Sequence, residues 1–81
     1  MTPDQVFELI STGMPDADVV VKSDDNTHFE ARVIAAEFDG LRSLQRHQKV
    51  YATLGQLMGR EIHALALQTF SPQEWDAQQA E

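Results

Sequence analysis

Cysteine is missing from this chain of 81 residues, so no disulfide can brace it and no thiolate cluster can be assembled from its own side chains. A metal site with sulfur ligands would need thiolates from elsewhere, and the absence fits a reducing compartment. Basic residues are scarce: six Lys and Arg against thirteen Asp and Glu leave a formal net charge of −7. A field of that sign repels phosphate backbones and anionic membrane surfaces. Long apolar runs are also missing, and Met1-Thr2-Pro3-Asp4-Gln5 lacks the apolar stretch of a secretion signal. No membrane-spanning helix is expected, and the expected location is the cytoplasm. Only three prolines and four glycines accompany 42% hydrophobic residues, which points to one compact domain over residues 1–81 rather than to linker or disorder. A chain this short buries a marginal core and has no room for a deep catalytic cleft between domains. Neither a G-x-S-x-G, an H-E-x-x-H, a P-loop nor a dinucleotide fingerprint is present, so enzyme activity is not expected.

The residues that are present divide into six elements. Thr2, Pro3 and Gln5 supply an N-cap, a proline at the first helical position and a capping-box partner. Val6, Leu9 and Ile10 then form one apolar stripe, and Gly13 with Pro15 is expected to end this first helix. Val19-Val20-Val21 reads as a strand, because consecutive β-branched residues suit a pleated surface better than a helix. The turn formers Ser23-Asp24-Asp25-Asn26-Thr27 lead into a second strand from Phe29 to Ala36, with Phe29, Ala31, Val33 and Ala35 on one face, so the two strands form a hairpin.

Phe38-Asp39-Gly40 breaks the second strand, and Ser43 is expected to cap a helix carrying Leu44, Val50, Tyr51, Leu54, Leu57 and Met58 on one broad side, with Gly59 as its terminator. Gly55 and Gly59 form a G-x-x-x-G spacing, which in a polar amphipathic helix signals close approach or termination rather than membrane dimerisation. Ile62 to Phe70 reads as the third strand. Ser71-Pro72-Gln73-Glu74 is a second capping box and opens a short helix carrying Trp75. The order α-β-β-α-β-α predicts an α+β fold: a three-stranded mixed sheet with helices on one face. Strands one and two pair antiparallel, and the helical connection makes strand three parallel to strand two through a right-handed crossover.

Without thiolates, histidine is the side chain with transition-metal chemistry at neutral pH. His63 opens strand three beside Leu65 and Leu67, either as a ligand reaching a partner's metal or as a strand-end residue with a structural hydrogen bond. His28 opens strand two. Parallel neighbours begin at the same end of a sheet about 5 Å apart, so the two imidazoles could approach each other. His47 is expected to be partly buried and bonded to the Phe38-Asp39-Gly40 loop. Arg46, His47 and Lys49 form the concentrated positive patch, read either as a solvated helix face or as a surface for an acidic or phosphate-bearing partner.

Three blocks carry a family resemblance: Phe38-Asp39-Gly40-Leu41, Arg46-His47-Gln48-Lys49-Val50-Tyr51-Ala52-Thr53-Leu54, and Ile62-His63-Ala64-Leu65-Ala66-Leu67 followed by Ser71-Pro72-Gln73-Glu74-Trp75. In order and spacing they resemble the BolA family over residues 28 to 76. The resemblance implies a fold similar to a type II KH domain. It also implies that His63 ligates a two-iron two-sulfur cluster shared with a monothiol glutaredoxin, whose cysteine and bound glutathione supply thiolates. Such mixed ligation is similar to that of Rieske centres, where imidazole in place of thiolate raises the potential. Many family members carry a second ligand, histidine or cysteine, in a longer hairpin loop. Here Ser23-Asp24-Asp25-Asn26-Thr27 has neither, a departure that resembles the IbaG-like branch. His28 matches instead the family histidine just before the strand's aromatic residue and is the second candidate after His63, while Asp24 or Asp25 would substitute only weakly at a cluster.

The function so implied is that of a small adaptor in iron-sulfur cluster trafficking, iron homeostasis or stress response. The isolated chain would then be free of metal, and a monomer or weak homodimer. The rival expectation is a nucleic-acid-binding transcriptional regulator, as some members of the family have been described. Against it stand the acidic charge, with only Arg42, Arg46 and Lys49 gathered together, and the lack of the G-x-x-G loop that clamps nucleic acid in KH domains. A third reading is an interaction module without metal.

Overall fold

The computed structural model describes residues 1–80, and within them the order of elements is α1 (Pro3–Gly13), β1 (Asp18–Lys22), β2 (His28–Ile34), α2 (Ser43–Leu54), β3 (Ala64–Phe70) and α3 (Pro72–Gln79). Short 3₁₀ turns at Ala36–Phe38 and Gly55–Leu57 flank α2. The strands form one sheet in the order β1-β2-β3. β1 runs antiparallel to β2 from Asp18 opposite Ile34 to Lys22 opposite Glu30. β2 runs parallel to β3, in register from His28 beside Ala64 to Ile34 beside Phe70. The mixed α+β sheet is therefore the one expected from the pattern of residues.

Both capping boxes form as the sequence predicts. The Gln5 N–H donates to Thr2 Oγ1 while the Thr2 N–H donates to Gln5 Oε1, and Ser71 and Glu74 make the same exchange at the start of α3. Val6 and Ile10 of α1, with Val50 and Leu54 of α2, pack on Phe29, Ala31 and Val33 of β2, and Phe38 and Ile62 close this core from the loops. Each of these side chains is buried.

Several boundaries differ from the expectations, each for a local reason. Ser43 is the first helical residue of α2 rather than its cap; Arg42 is the cap, and its N–H donates to Gln45 Oε1 at 3.0 Å. Gly55, not Gly59, ends α2, with φ of 59° and ψ of −129°, a conformation reserved for residues without a Cβ. Leu57 and Met58 consequently lie beyond the helix, and Leu44 is left exposed. Gly13 is the last residue of α1, and its role is packing. A Cβ there would come within 2.5 Å of Thr53 Cγ2 on α2, so the missing side chain lets the two helices meet. Met14 follows as the cap, its N–H bonded to the Ile10 carbonyl at 2.8 Å.

The positive patch read from Arg46, His47 and Lys49 is not one surface. Arg46 is buried, and its Nε donates to the Leu41 carbonyl at 2.9 Å. Its Nη1 and Nη2 donate to the two carboxylate oxygens of Glu74 at 2.6 and 3.2 Å. Arg46, rather than His47, thus ties α2 to the loop after Phe38, while His47 lies edge-on to Tyr51 with ring centroids 6.3 Å apart. Glu74 serves both its own helix cap and Arg46, so α3 is anchored at the C-terminal end of the sheet. On the next residue, Trp75 lies 5.2 Å from the Phe70 ring and 4.4 Å from the Arg32 guanidinium carbon. Phe70 and Arg32 belong to the face opposite Phe29 and Val33, so α1 and α2 cover one face and the Trp75 ring of α3 turns onto the other.

Two expected outcomes follow from these contacts. Gly13→Ala should lower stability by about 1–3 kcal/mol, as overpacking does, although alanine is the better helix former; a melting temperature equal to or above that of the wild type would contradict the close approach of α1 and α2. The hydrogen bonds from Arg46, reinforced by the Ser71 N–H, draw the Glu74 carboxyl down from the ordinary 4.5 to about 2. A carboxyl depressed in the folded state contributes stability that is complete above pH 4.5 and disappears as the pH falls toward 2. Thermal melts should therefore show Glu74→Gln below wild type near neutrality, with the two curves converging across that acid window. A gap independent of pH would contradict the pairing.

Candidate functional site

The parallel register of β2 and β3 brings His28 and His63 to the same end of the sheet. His28 is the first residue of β2 and lies beside Ala64, the first residue of β3. The third strand begins two residues later than the Ile62 expected from the apolar run, so His63 stands just outside it. Ile62 is instead a core residue, held in a tight loop where its N–H donates to the Leu57 carbonyl at 3.1 Å and its carbonyl accepts from the Gly59 N–H at 2.9 Å. The chain emerges from that anchor at His63, whose N–H donates to the Thr27 carbonyl at 3.0 Å. The backbone of His63 is thereby fixed while its ring stays exposed. The ring centroids of His28 and His63 lie 6.2 Å apart and are inclined by 41°.

The short acidic loop shapes the other half of this site. Asp25 Oδ1 accepts the N–H groups of Thr27 and His28 at 2.9 and 2.8 Å, and Asp25 Oδ2 lies 2.8 Å from His28 Nδ1. The His28 N–H first, then its imidazole, and then the Thr27 N–H hold the Asp25 carboxyl well below the usual carboxylate range. Asn26 takes the left-handed conformation with φ of 59°, and its N–H donates to Ser23 Oγ at 2.9 Å. Asp25, by its sequence a weak candidate ligand, is engaged instead with the turn and with His28. The pattern Asp-x-x-His, with a backbone turn between, was the signal for that pairing.

Two exposed imidazoles within reach of each other are soft enough donors for iron, zinc or copper. Among the described residues, no three or more His, Cys, Asp and Glu side chains gather as a metal-binding group. His28 and His63 are the two imidazoles that the fold brings together at this end of the sheet.

A family model described as BolA-like protein matches residues 9–74. The chain belongs to the BolA family. Within that family it is 44% identical over 52 residues to the DNA-binding transcriptional regulator BolA of Haemophilus influenzae, a match covering 64% of this chain and 50% of that protein. It is 33% identical over 76 residues to an uncharacterized protein encoded in the rpoN-murA intergenic region of Acinetobacter guillouiae, covering 93% and 90% of the two chains. The structure of a bolA protein homologue from Coxiella burnetii superposes with a TM-score of 0.83 at 38% identity, over 94% of this chain and 97% of that one. The match thus spans half the length of the Haemophilus BolA and nearly all of the other two.

The contrast between adjacent residues Ile62 and His63 gives a direct check. His63→Ala removes an exposed ring and leaves the backbone bond to Thr27 intact, so its melting temperature should stay near that of the wild type. Ile62→Ala empties a core position and should cost about 2–5 kcal/mol. Equal losses at the two positions would show that the His63 ring is structural.

Proposed function

We propose that this BolA-family chain is a non-enzymatic adaptor that contributes imidazole ligands to a two-iron two-sulfur cluster held jointly with a monothiol glutaredoxin and its glutathione. His63 is the principal donor and His28 the second. The observation that carries this reading is the pair of exposed rings 6.2 Å apart at one end of the sheet, in a chain with no thiolate of its own. Imidazoles alone make a poor iron-sulfur site, and thiolates from a partner complete it. The chain on its own is then colourless, and cluster formation requires the complex. Its work is cluster trafficking or iron homeostasis in a reducing compartment, for which the cytoplasm is the natural choice.

A regulatory role on nucleic acid is the second reading, favoured by the printed name of the Haemophilus relative. Charge weighs against it. Of the three cations that would form a phosphate-binding surface, Arg46 is buried against Glu74, and Lys49 lies 3.7 Å from Glu37. Arg42 alone does not offset a net charge of −7.

Anaerobic co-purification with a monothiol glutaredoxin, followed by an absorption spectrum of the complex, tests the first reading. His63→Ala should abolish or markedly change the cluster bands, with a smaller change for His28→Ala, while apo association persists on a wider surface. Retention of an unaltered spectrum in His63→Ala would refute the assignment. In gel retardation at physiological salt the pure protein should leave duplex DNA unshifted; a specific, salt-resistant shift would invert the order of the two readings.

A further inference from the structure

The two oxygens of Asp25 have different tasks. Oδ1 accepts the N–H groups of Thr27 and His28 and so builds the turn. Oδ2 is directed to the imidazole of His28, 2.8 Å from Nδ1. An ionised carboxylate only accepts, so the proton of this hydrogen bond sits on Nδ1. The neutral ring then carries its lone pair on Nε2. Ser23 strengthens the arrangement: its Oγ donates to the His28 carbonyl at 2.7 Å and accepts from the Asn26 N–H. The carboxylate is thus oriented by the turn before any metal arrives.

We propose that Asp25 is a positioning residue for His28, holding its ring in the tautomer that presents Nε2 to a metal and so making His28 the second donor beside His63. This rests on the reading that the site ligates metal. Ligating histidines commonly donate their other ring N–H to a carboxylate, which fixes orientation and raises basicity. In this chain the short hairpin loop supplies that carboxylate rather than a ligand.

Asp25→Asn tests the assignment, because the change is nearly isosteric. The amide oxygen keeps the two backbone bonds of the turn, and its NH₂ group then faces Nδ1 as a donor. The proton is forced onto Nε2 and the lone pair turns toward residue 25. Two-bond ¹H–¹⁵N correlation spectra of the full chain, recorded where the His28 ring is neutral, should show the Nδ1–H tautomer in wild type and the Nε2–H tautomer in Asp25→Asn. Backbone amide shifts of residues 23–28 should be retained. Titration with Zn²⁺ as the probe should shift the ring nitrogens of both His28 and His63 in wild type. Asp25→Asn should weaken zinc affinity by about tenfold or more, matching His28→Ala, while His63 still responds.

An Nε2–H tautomer in wild type would overturn the proposal. So would zinc affinity in Asp25→Asn equal to that of wild type, or the absence of any zinc response at His28. These outcomes are separable from the fate of the cluster reading. A glutaredoxin complex of the wild type with no iron-sulfur spectrum removes the cluster and leaves the zinc and tautomer results standing. A normal cluster in Asp25→Asn, lost in His63→Ala, removes Asp25 and leaves the cluster.

Discussion

The parallel ladder between β2 and β3 is the constraint on which the site depends. Seven paired positions, from His28 beside Ala64 to Ile34 beside Phe70, set two histidines from distant parts of the chain at one end of the sheet. A parallel pair needs a long crossover, and α2 supplies it while covering the core face. A slip of one residue would reverse the faces of β3 and move His63 away from the Thr27 carbonyl. The register is secured at the far end as well, where the Ala35 N–H donates to the Phe70 carbonyl at 3.0 Å.

Arg46 and α3 guard that far end. A buried guanidinium is costly to desolvate, and the cost is offset here by a bidentate carboxylate and a loop carbonyl. Glu74 and Trp75, neighbours on one helical turn, reach opposite faces of the sheet: one toward Arg46 on α2, the other over Phe70 and Arg32. The C-terminal end is therefore a closed structural seam. The opposite end carries the two exposed imidazoles and the acidic turn.

Much of this was legible in the sequence because it is local. The capping boxes at Thr2 and Ser71, the Val19-Val20-Val21 strand, and the alternation Phe29, Ala31, Val33, Ala35 each carry their signal within a few residues. The proximity of His28 and His63 followed from strand order alone. The failures share one origin, in that a distant partner decides them. Arg46 reads as surface charge until Glu74, on another helix, is brought beside it. Gly13 reads as a terminator until Thr53 is packed against it. Gly55 and Gly59 are equivalent in sequence, and only the need to drop Ile62 into the core makes Gly55 the end of α2. The Asp25 contact to His28 lay within reach, since an Asp three residues before a strand-opening histidine can bond both its backbone and its ring.

The central claim is that this chain lends a pair of imidazoles to a shared cluster. It is tested most directly by pulsed electron paramagnetic resonance on the reduced complex with glutaredoxin, with ¹⁵N-histidine incorporated only into this chain. Strong coupling of the cluster spin to two inequivalent ¹⁵N nuclei is the result the account predicts. Coupling to one or none would contradict the pair.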